Sequence, residues 1–121
     1  MLKLLTLTVF FGFFSNLVLA QNSPNWPSKP VRVIVAGSGG SATDMVARMF
    51  TEPLSKTFGQ AFIIDNKGGG GGVPAMQEMM RAPADGYTIV MSHIGLMAVN
   101  PLIYPDSGYD VNKDFVPVTL L

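Results

Sequence analysis

Val31-Arg32-Val33-Ile34-Val35-Ala36 is an almost unbroken β-branched run, closed off by Pro30 and Gly37. A strand with one face in water alternates apolar and polar residues. A continuous run is the pattern of a strand covered on both faces, as in a parallel sheet with helices above and below it. The chain is therefore predicted to be α/β, and the next segments fit. Gly37 to Ser41 is a glycine–serine loop. A helix is predicted to open at Ala42 or Thr43, capped by Ser41 or Thr43, with Asp44 in the first turn, where negative charge suits the helix dipole. Val46, Met49, Phe50, Leu54 and Phe58 fall at helical spacing, and Gly59 is the natural stop. Pro53 sits inside this pattern and is expected to kink the helix or split it.

A second unit follows. Ala61 to Asp65 reads as a short strand, and Asn66-Lys67 leads into five consecutive glycines, Gly68 to Gly72. Pro74 fits a helix first turn, and Ala75, Met76, Met79 and Met80 form an apolar stripe ending near Ala82. Pro83-Ala84-Asp85-Gly86 is a turn. Tyr87 to Met91 is a third strand ending near Ser92 and His93. After a loose linker, Asn100 to Pro105 suggests a short helical turn, and Tyr109 to Asp114 is polar. Phe115 to Leu121 begins another strand. The order strand, helix, strand, helix, strand predicts a mainly parallel sheet flanked by helices, with right-handed crossovers. The last apolar segment has no partner in the chain, so the sheet is expected to be incomplete at its C-terminus.

Residues 1–20 are read as a signal peptide rather than as part of the fold. Lys3 precedes the apolar run Leu4 to Phe14, and Val18-Leu19-Ala20 places small residues at −3 and −1 of a cleavage site, with Gln21 as the new N-terminus. The run is shorter than the ~20 residues a spanning helix needs. It lacks the polar face of an amphipathic helix, and with no cysteine a lipid anchor is excluded. The expected location is periplasmic. The chain carries eight Lys+Arg and eight Asp+Glu. It thus has no basic surplus for nucleic acid, which is not expected as a partner. The lack of cysteine and the single histidine exclude disulfide frameworks, thiolate zinc sites and two-histidine zinc motifs. No cofactor or metal is expected.

In open α/β sheets, ligands lie beyond the carboxyl ends of the strands. Three loops fall there: Gly37–Thr43, Asn66–Val73 and Ser92–Met97. A glycine loop at a helix N-terminus offers unpaired amides and the positive dipole end, an arrangement that attracts carboxylate or phosphate. The hydroxyls of Ser38, Ser41 and Thr43 add donors. For Gly37 to Ser41 ligand contact is favoured. For Gly68 to Gly72, ligand contact and simple positive-φ turn geometry stand level. Two other chemistries compete. Gly37-Ser38-Gly39-Gly40-Ser41-Ala42 matches the dinucleotide pattern G-x-G-x-x-G/A, with Asp65 near the place of a ribose-binding acid. Hydrolysis would require Ser92 and His93, which adjoin in sequence but should point to opposite faces of a strand; no nucleophile elbow is present. Asp44 reads first as a dipole partner, His93 as a hydrogen-bonded loop residue, the methionines as core, and Trp26 as packing on the domain edge.

Taken in order, these segments resemble the Bug-type substrate-binding receptors of tripartite tricarboxylate transporters. The resemblance rests on Pro30 to Val35, Gly39-Gly40, Thr43 to Arg48, Leu54-Ser55-Lys56, Phe58-Gly59-Gln60, Ile64 to Lys67, Gly69 with Gly71-Gly72, Asp85 to Thr88, Asn100-Pro101, Tyr104-Pro105, Tyr109-Asp110 and Lys113 to Val118. It implies a periplasmic-binding-protein-like fold in which two α/β lobes close on a small organic acid or amino acid and deliver it to membrane permease subunits. No enzyme activity is implied. Residues 21–121 would be a partial first lobe. Carried onto this chain, the ligand-binding positions are Ser38, Gly39, Gly40, Ser41, Thr43 and Asp44 in the first loop and Ser92 and His93 in the third. The chain departs from the family pattern at Ala36, Gly37, Ser41, Val73, Ser92 and His93. An inert truncated remnant and a nucleotide-binding enzyme fragment using Gly37, Gly39, Ala42 and Asp65 stand as alternatives.

Overall fold

The computed structural model describes residues 25–121; the leader expected over residues 1–20 lies outside them. Three parallel strands, β1 (Val31–Val35), β2 (Phe62–Asn66) and β3 (Thr88–Met91), form a sheet in the order β2-β1-β3. Val33 stands opposite Ile64 on one side and Ile89 on the other. Helix α1 (Ala42–Phe58) connects β1 to β2, and α2 (Val73–Arg81) carries the chain from β2 past β1 to β3. The first crossover runs from β1 to one side and the second returns past β1 to the other. The crevice beyond the carboxyl ends of β1 and β3 is therefore the topological switch point of the sheet.

The β-branched run lies in the centre, as its continuity requires. Val31, Val33 and Val35 point to the α1 face and pack with Ala47, Phe62 and Leu54. Ile34 and Ala36 point to the other face and pack with Ala75, Met76, Leu96 and Tyr109. Met76 of the methionine stripe is fully buried, whereas Met80 lies at the surface. Trp26 closes the lower edge of the sheet against Phe58, Phe62 and Tyr87, with ring centroids 5.6, 6.4 and 6.3 Å away.

Five local expectations are corrected. α1 is not split at Pro53, which lies on its exposed side. The residues α1 buries are Asp44, Ala47 and Thr51, while Met49 and Phe50 are exposed, so the largest apolar side chains do not mark the buried face. The linker after His93 is helical: Gly95–Val99 forms a π turn that runs into α3 (Asn100–Ile103). The polar stretch contains the short helix α4 (Val111–Asp114). Finally, Phe115 to Leu121 forms no strand. Val116, Val118 and Leu120 are exposed, because no neighbouring strand among the described residues pairs with them.

Candidate functional site

The first glycine loop is fixed from beneath by one buried carboxylate. Asp44, 2% exposed, accepts the Gly40 amide at 2.8 Å and Arg48 Nε at 3.0 Å on Oδ2, and Asn66 Nδ2 at 2.9 Å on Oδ1. Arg48 first, then the Gly40 amide and Asn66, hold its carboxyl down to about 2. Asn66 also donates to the Gly37 carbonyl at 3.4 Å, so the end of β2 clamps the loop from the side. Ser41 is the cap of α1; its hydroxyl accepts the Asp44 amide at 3.3 Å and its carbonyl the Met45 amide at 2.9 Å. Gly37 is explained by this cap, because a Cβ there would stand 2.6 Å from Ser41 Oγ.

These bonds divide the predicted site residues into two groups. Asp44, the Gly40 amide and the Ser41 hydroxyl are engaged within the loop and set its shape. The amides of Ser38, Gly39, Ala42 and Thr43 have no partner among the described residues. They stand at the positive end of a 17-residue helix, beside the switch point. Gly39 and Gly40 are exposed, with nothing within 4 Å of a Cβ built on Gly40.

The other two loops close on this one. Ser38 lies against Gly68, where a Cβ would come within 2.2 Å of Ser38 Oγ. On the β3 side the Ala36 amide donates to the Met91 carbonyl at 3.0 Å, which sets Ser92 beside the start of the first loop. Ser92 Oγ is buried without a hydrogen-bond partner among the described residues. His93 is exposed; its carbonyl accepts the Leu96 and Met97 amides, and its ring lies over Gly95. Ser92 and His93 share no hydrogen bond, so the nucleophile–base contact that hydrolysis needs is missing.

The second loop shows the positive-φ turn geometry that its glycines allow. Gly69, Gly70, Gly71 and Gly72 all have positive φ, from 53° to 84°, a run that residues with side chains rarely adopt. A Cβ on Gly72 would stand 2.5 Å from Leu96 Cδ1, so glycine is also needed for close approach.

The nearby charges are already paired. Arg32 bonds both Asp65 and Glu78, and Lys67 stands 3.4 Å from Asp65 and 3.2 Å from Glu78. Arg32 holds the Asp65 carboxyl below the usual range; Arg32 and then Lys67 do the same to Glu78. Asp65 thus belongs to an ion network on the α2 side. A role in binding ribose would require it to leave two cations, which counts against the dinucleotide alternative. The donors left at the switch point are neutral amides and hydroxyls. Among the described residues no group of three His, Cys, Asp or Glu is placed to hold a metal ion.

The sequence profile described as "Tripartite tricarboxylate transporter family receptor" matches residues 46–121. The chain belongs to this receptor family. A UPF0065 protein of Bordetella bronchiseptica is 42% identical over 101 residues, which are 84% of this chain and 30% of that protein. Protein BugT of Bordetella pertussis is 30% identical over 122 residues, 100% of this chain and 37% of its own length. Among solved structures, R. palustris Rpa4515 with adipate has a TM-score of 0.74 at 42% identity, covering 77% of this chain and 31% of that one. The chain therefore spans about a third of the length of the receptors it matches. Its three-stranded parallel sheet corresponds to part of a periplasmic-binding-protein fold, and the relatives are binding proteins rather than enzymes.

Two residues that shape the site were not singled out from the sequence. Asn66 clamps the loop, and the available signal was a polar residue closing an otherwise apolar strand. Arg48 carried a signal too, as the i+4 partner of Asp44.

Proposed function

We propose that this chain is part of the first lobe of a periplasmic receptor that captures a small organic carboxylate for a tripartite tricarboxylate transporter. Family membership and the adipate-bound relative support the class of ligand. The observation that carries the reading is the group of four unpartnered amides, Ser38, Gly39, Ala42 and Thr43, at the N-terminus of α1. They would donate to one carboxylate of the ligand, with Ser92 Oγ and the Ser38 and Thr43 hydroxyls as further donors. Charge-assisted bonds from neutral groups hold an anion without burying a cation beside it. Asp44 and Ser41 are positioning residues in this scheme, and His93 stands at the rim.

The same reading assigns residues 1–20 to a cleaved leader that directs export, and membrane permease subunits to the role of recipient. No helix among the described residues is long and apolar enough to cross a membrane. Adipate is the test ligand. It should shift the backbone amides of Ser38, Gly39, Ala42 and Thr43 in nitrogen-15 spectra and raise the unfolding temperature. Gly39→Ala should weaken this response, because its methyl group crowds the approach to the amides. If neither adipate nor a wider panel of organic acids moves these amides, the carboxylate reading is wrong.

A further inference from the structure

We propose that the free edge of β2 is an interface for a second copy of this chain, the two β2 strands pairing antiparallel across a two-fold axis at Ile64. β2 is an outer strand, with β1 on one side only. The Val31 amide donates to the Ala61 carbonyl at 2.8 Å and the Lys67 amide to the Val35 carbonyl at 2.9 Å, so the odd-numbered residues of this segment face β1. The backbone groups of Phe62, Ile64 and Asn66 therefore point the other way. The Phe62 amide fits this, because it donates to Ser55 Oγ at 3.0 Å. The Ile64 amide and carbonyl, the Phe62 carbonyl and the Asn66 amide have no partner among the described residues. Phe62 to Asn66 contains no proline, lysine or bulge, the usual devices that blunt a sheet edge.

Charge selects a second copy as the occupant. A groove of about 450 Å³ runs between this edge and α1, lined by Arg48, Thr51, Glu52, Ser55, Phe62 and Ile64. Ser55 reaches the Phe62 amide and Asp44 reaches Asn66, so α1 descends antiparallel to β2, and Ile64 lies level with the stretch between Arg48 and Glu52. A two-fold axis through Ile64 exchanges the two ends of the groove. It sets Arg48 of each copy opposite Glu52 of the other. Both side chains have groups to spare. Arg48 gives Nε to Asp44, and its Nη groups have no partner among the described residues. Glu52 Oε1 accepts Lys56 Nζ at 2.7 Å, and Oε2 has no partner among them. A foreign strand would have to bring a matching pair of charges on its own scaffold, whereas a copy supplies them by symmetry.

Apolar residues flank the edge on both faces of the sheet. Ile63 is exposed on the face away from α1 and would meet its copy diagonally across the axis. Met45 and Met49, also exposed, stand three residues before Arg48 and Glu52 on α1, beside the groove. In the pair, the two Ile64 residues exchange both backbone bonds, and each Asn66 amide donates to the Phe62 carbonyl of the other copy. The two sheets become one. The interface uses none of the amides proposed to hold the carboxylate ligand.

The test is sedimentation equilibrium of the full chain, joined to amide hydrogen exchange of the nitrogen-15-labelled protein. One short strand and one helix flank from each copy make a small interface, so the dimer should form reversibly over about 10 μM to 1 mM. Exchange at the Ile64 and Asn66 amides should slow across that range, while the Gly39 amide keeps its rate. Ile63→Lys and Glu52→Arg should each weaken association about tenfold, the first by setting like charges across the axis and the second by facing Arg48 with a cation. Both side chains are exposed, so the fold should tolerate these changes. Val118→Lys places a charge on the other exposed apolar segment and should leave the dimer intact. The proposal is overturned if the chain stays monomeric up to about 1 mM, or if the Ile64 and Asn66 amides exchange at a rate independent of concentration. It is equally overturned if Val118→Lys disperses the dimer and Ile63→Lys does not, which would place the contact on the C-terminal segment.

Discussion

The two glycine loops lie side by side, touching at Ser38 and Gly68, yet they reach their shapes by opposite means. The first is organised by side chains. Asp44, Asn66 and Ser41 bond its backbone, and only one of its glycines, Gly40, has positive φ. The second contains no side chains at all. Four consecutive left-handed residues turn the chain, and the following helix is left uncapped. A loop built on bonded side chains can present its remaining amides in a fixed array. A loop built on backbone freedom is held only by its ends and by what packs against it, here Leu96 and Asn100. Glycine richness therefore does not define one structural role. What separates the loops is whether a polar side chain reaches the amides.

The contrast is broken most strongly at Gly72. Gly72→Ala would put a Cβ 2.5 Å from Leu96 Cδ1 at a φ of 84°. The left-handed backbone costs about 1–2 kcal/mol and the overpacking about 1–3 kcal/mol, so urea unfolding should show a loss of about 2–5 kcal/mol. Leu96→Ala alone should cost about 2–5 kcal/mol, because Leu96 is fully buried. The double variant should cost less than the sum, since removing the leucine side chain makes room for the new methyl group. Strict additivity would mean that Leu96 is not what holds this loop in place.

The first loop should instead be sensitive to Asp44 and to acid. Asp44→Asn loses the charge that Arg48 and the Gly40 amide share. Hydrogen exchange at the Gly40 amide should accelerate about tenfold or more, with little change at Gly70 and Gly71. The same contrast follows from pH. The folded-state value of Asp44, about 2, lies below the ordinary aspartate value of about 3.9. Its stabilisation is complete above that ordinary value and is lost as pH falls toward 2. The Gly40 amide should open over that window in the native protein and not in Asp44→Asn.

The sheet was legible in the sequence because β-branched continuity, helical spacing and glycine stops all agreed. Each of the three strands that form lies within one residue of its expected position, while the strand expected from Phe115 onward does not form. The chemical roles in the first loop were less so. A sequence shows that Asp44 can interact with a helix dipole, but not that Asn66, 22 positions away, reaches the same carboxylate. That contact exists only because β2 pairs with β1 and sets Asn66 opposite Val35. The side of α1 that is buried was misread for a related reason. The sheet accepts small residues at Ala47 and Thr51, so hydrophobicity pointed to the buried face through Leu54 but not through Met49 or Phe50. The π turn after His93 was missed because Gly95 is a weak helix former, and packing of Leu96 into the core overrides that preference.

Two smaller substitutions sharpen the comparison within the first loop. Gly40→Ala meets nothing within 4 Å, so only its φ of 80° opposes it, and the expected loss is about 1–2 kcal/mol. Gly39→Ala should have the smallest effect. Its φ is not positive, and a Cβ there would meet only Asn66 Oδ1, at 3.9 Å. Neither strain nor crowding opposes the methyl group, so stability should change by less than about 0.5 kcal/mol. The adipate response should nevertheless fall, because the glycine is needed for the ligand's approach and not for the turn. A loss above about 1 kcal/mol would imply that the first loop, like the second, depends on the conformational freedom of its glycines. In that case the carboxylate of Asp44 would not be what fixes its shape, and the ordered amide array argued from it would have no foundation.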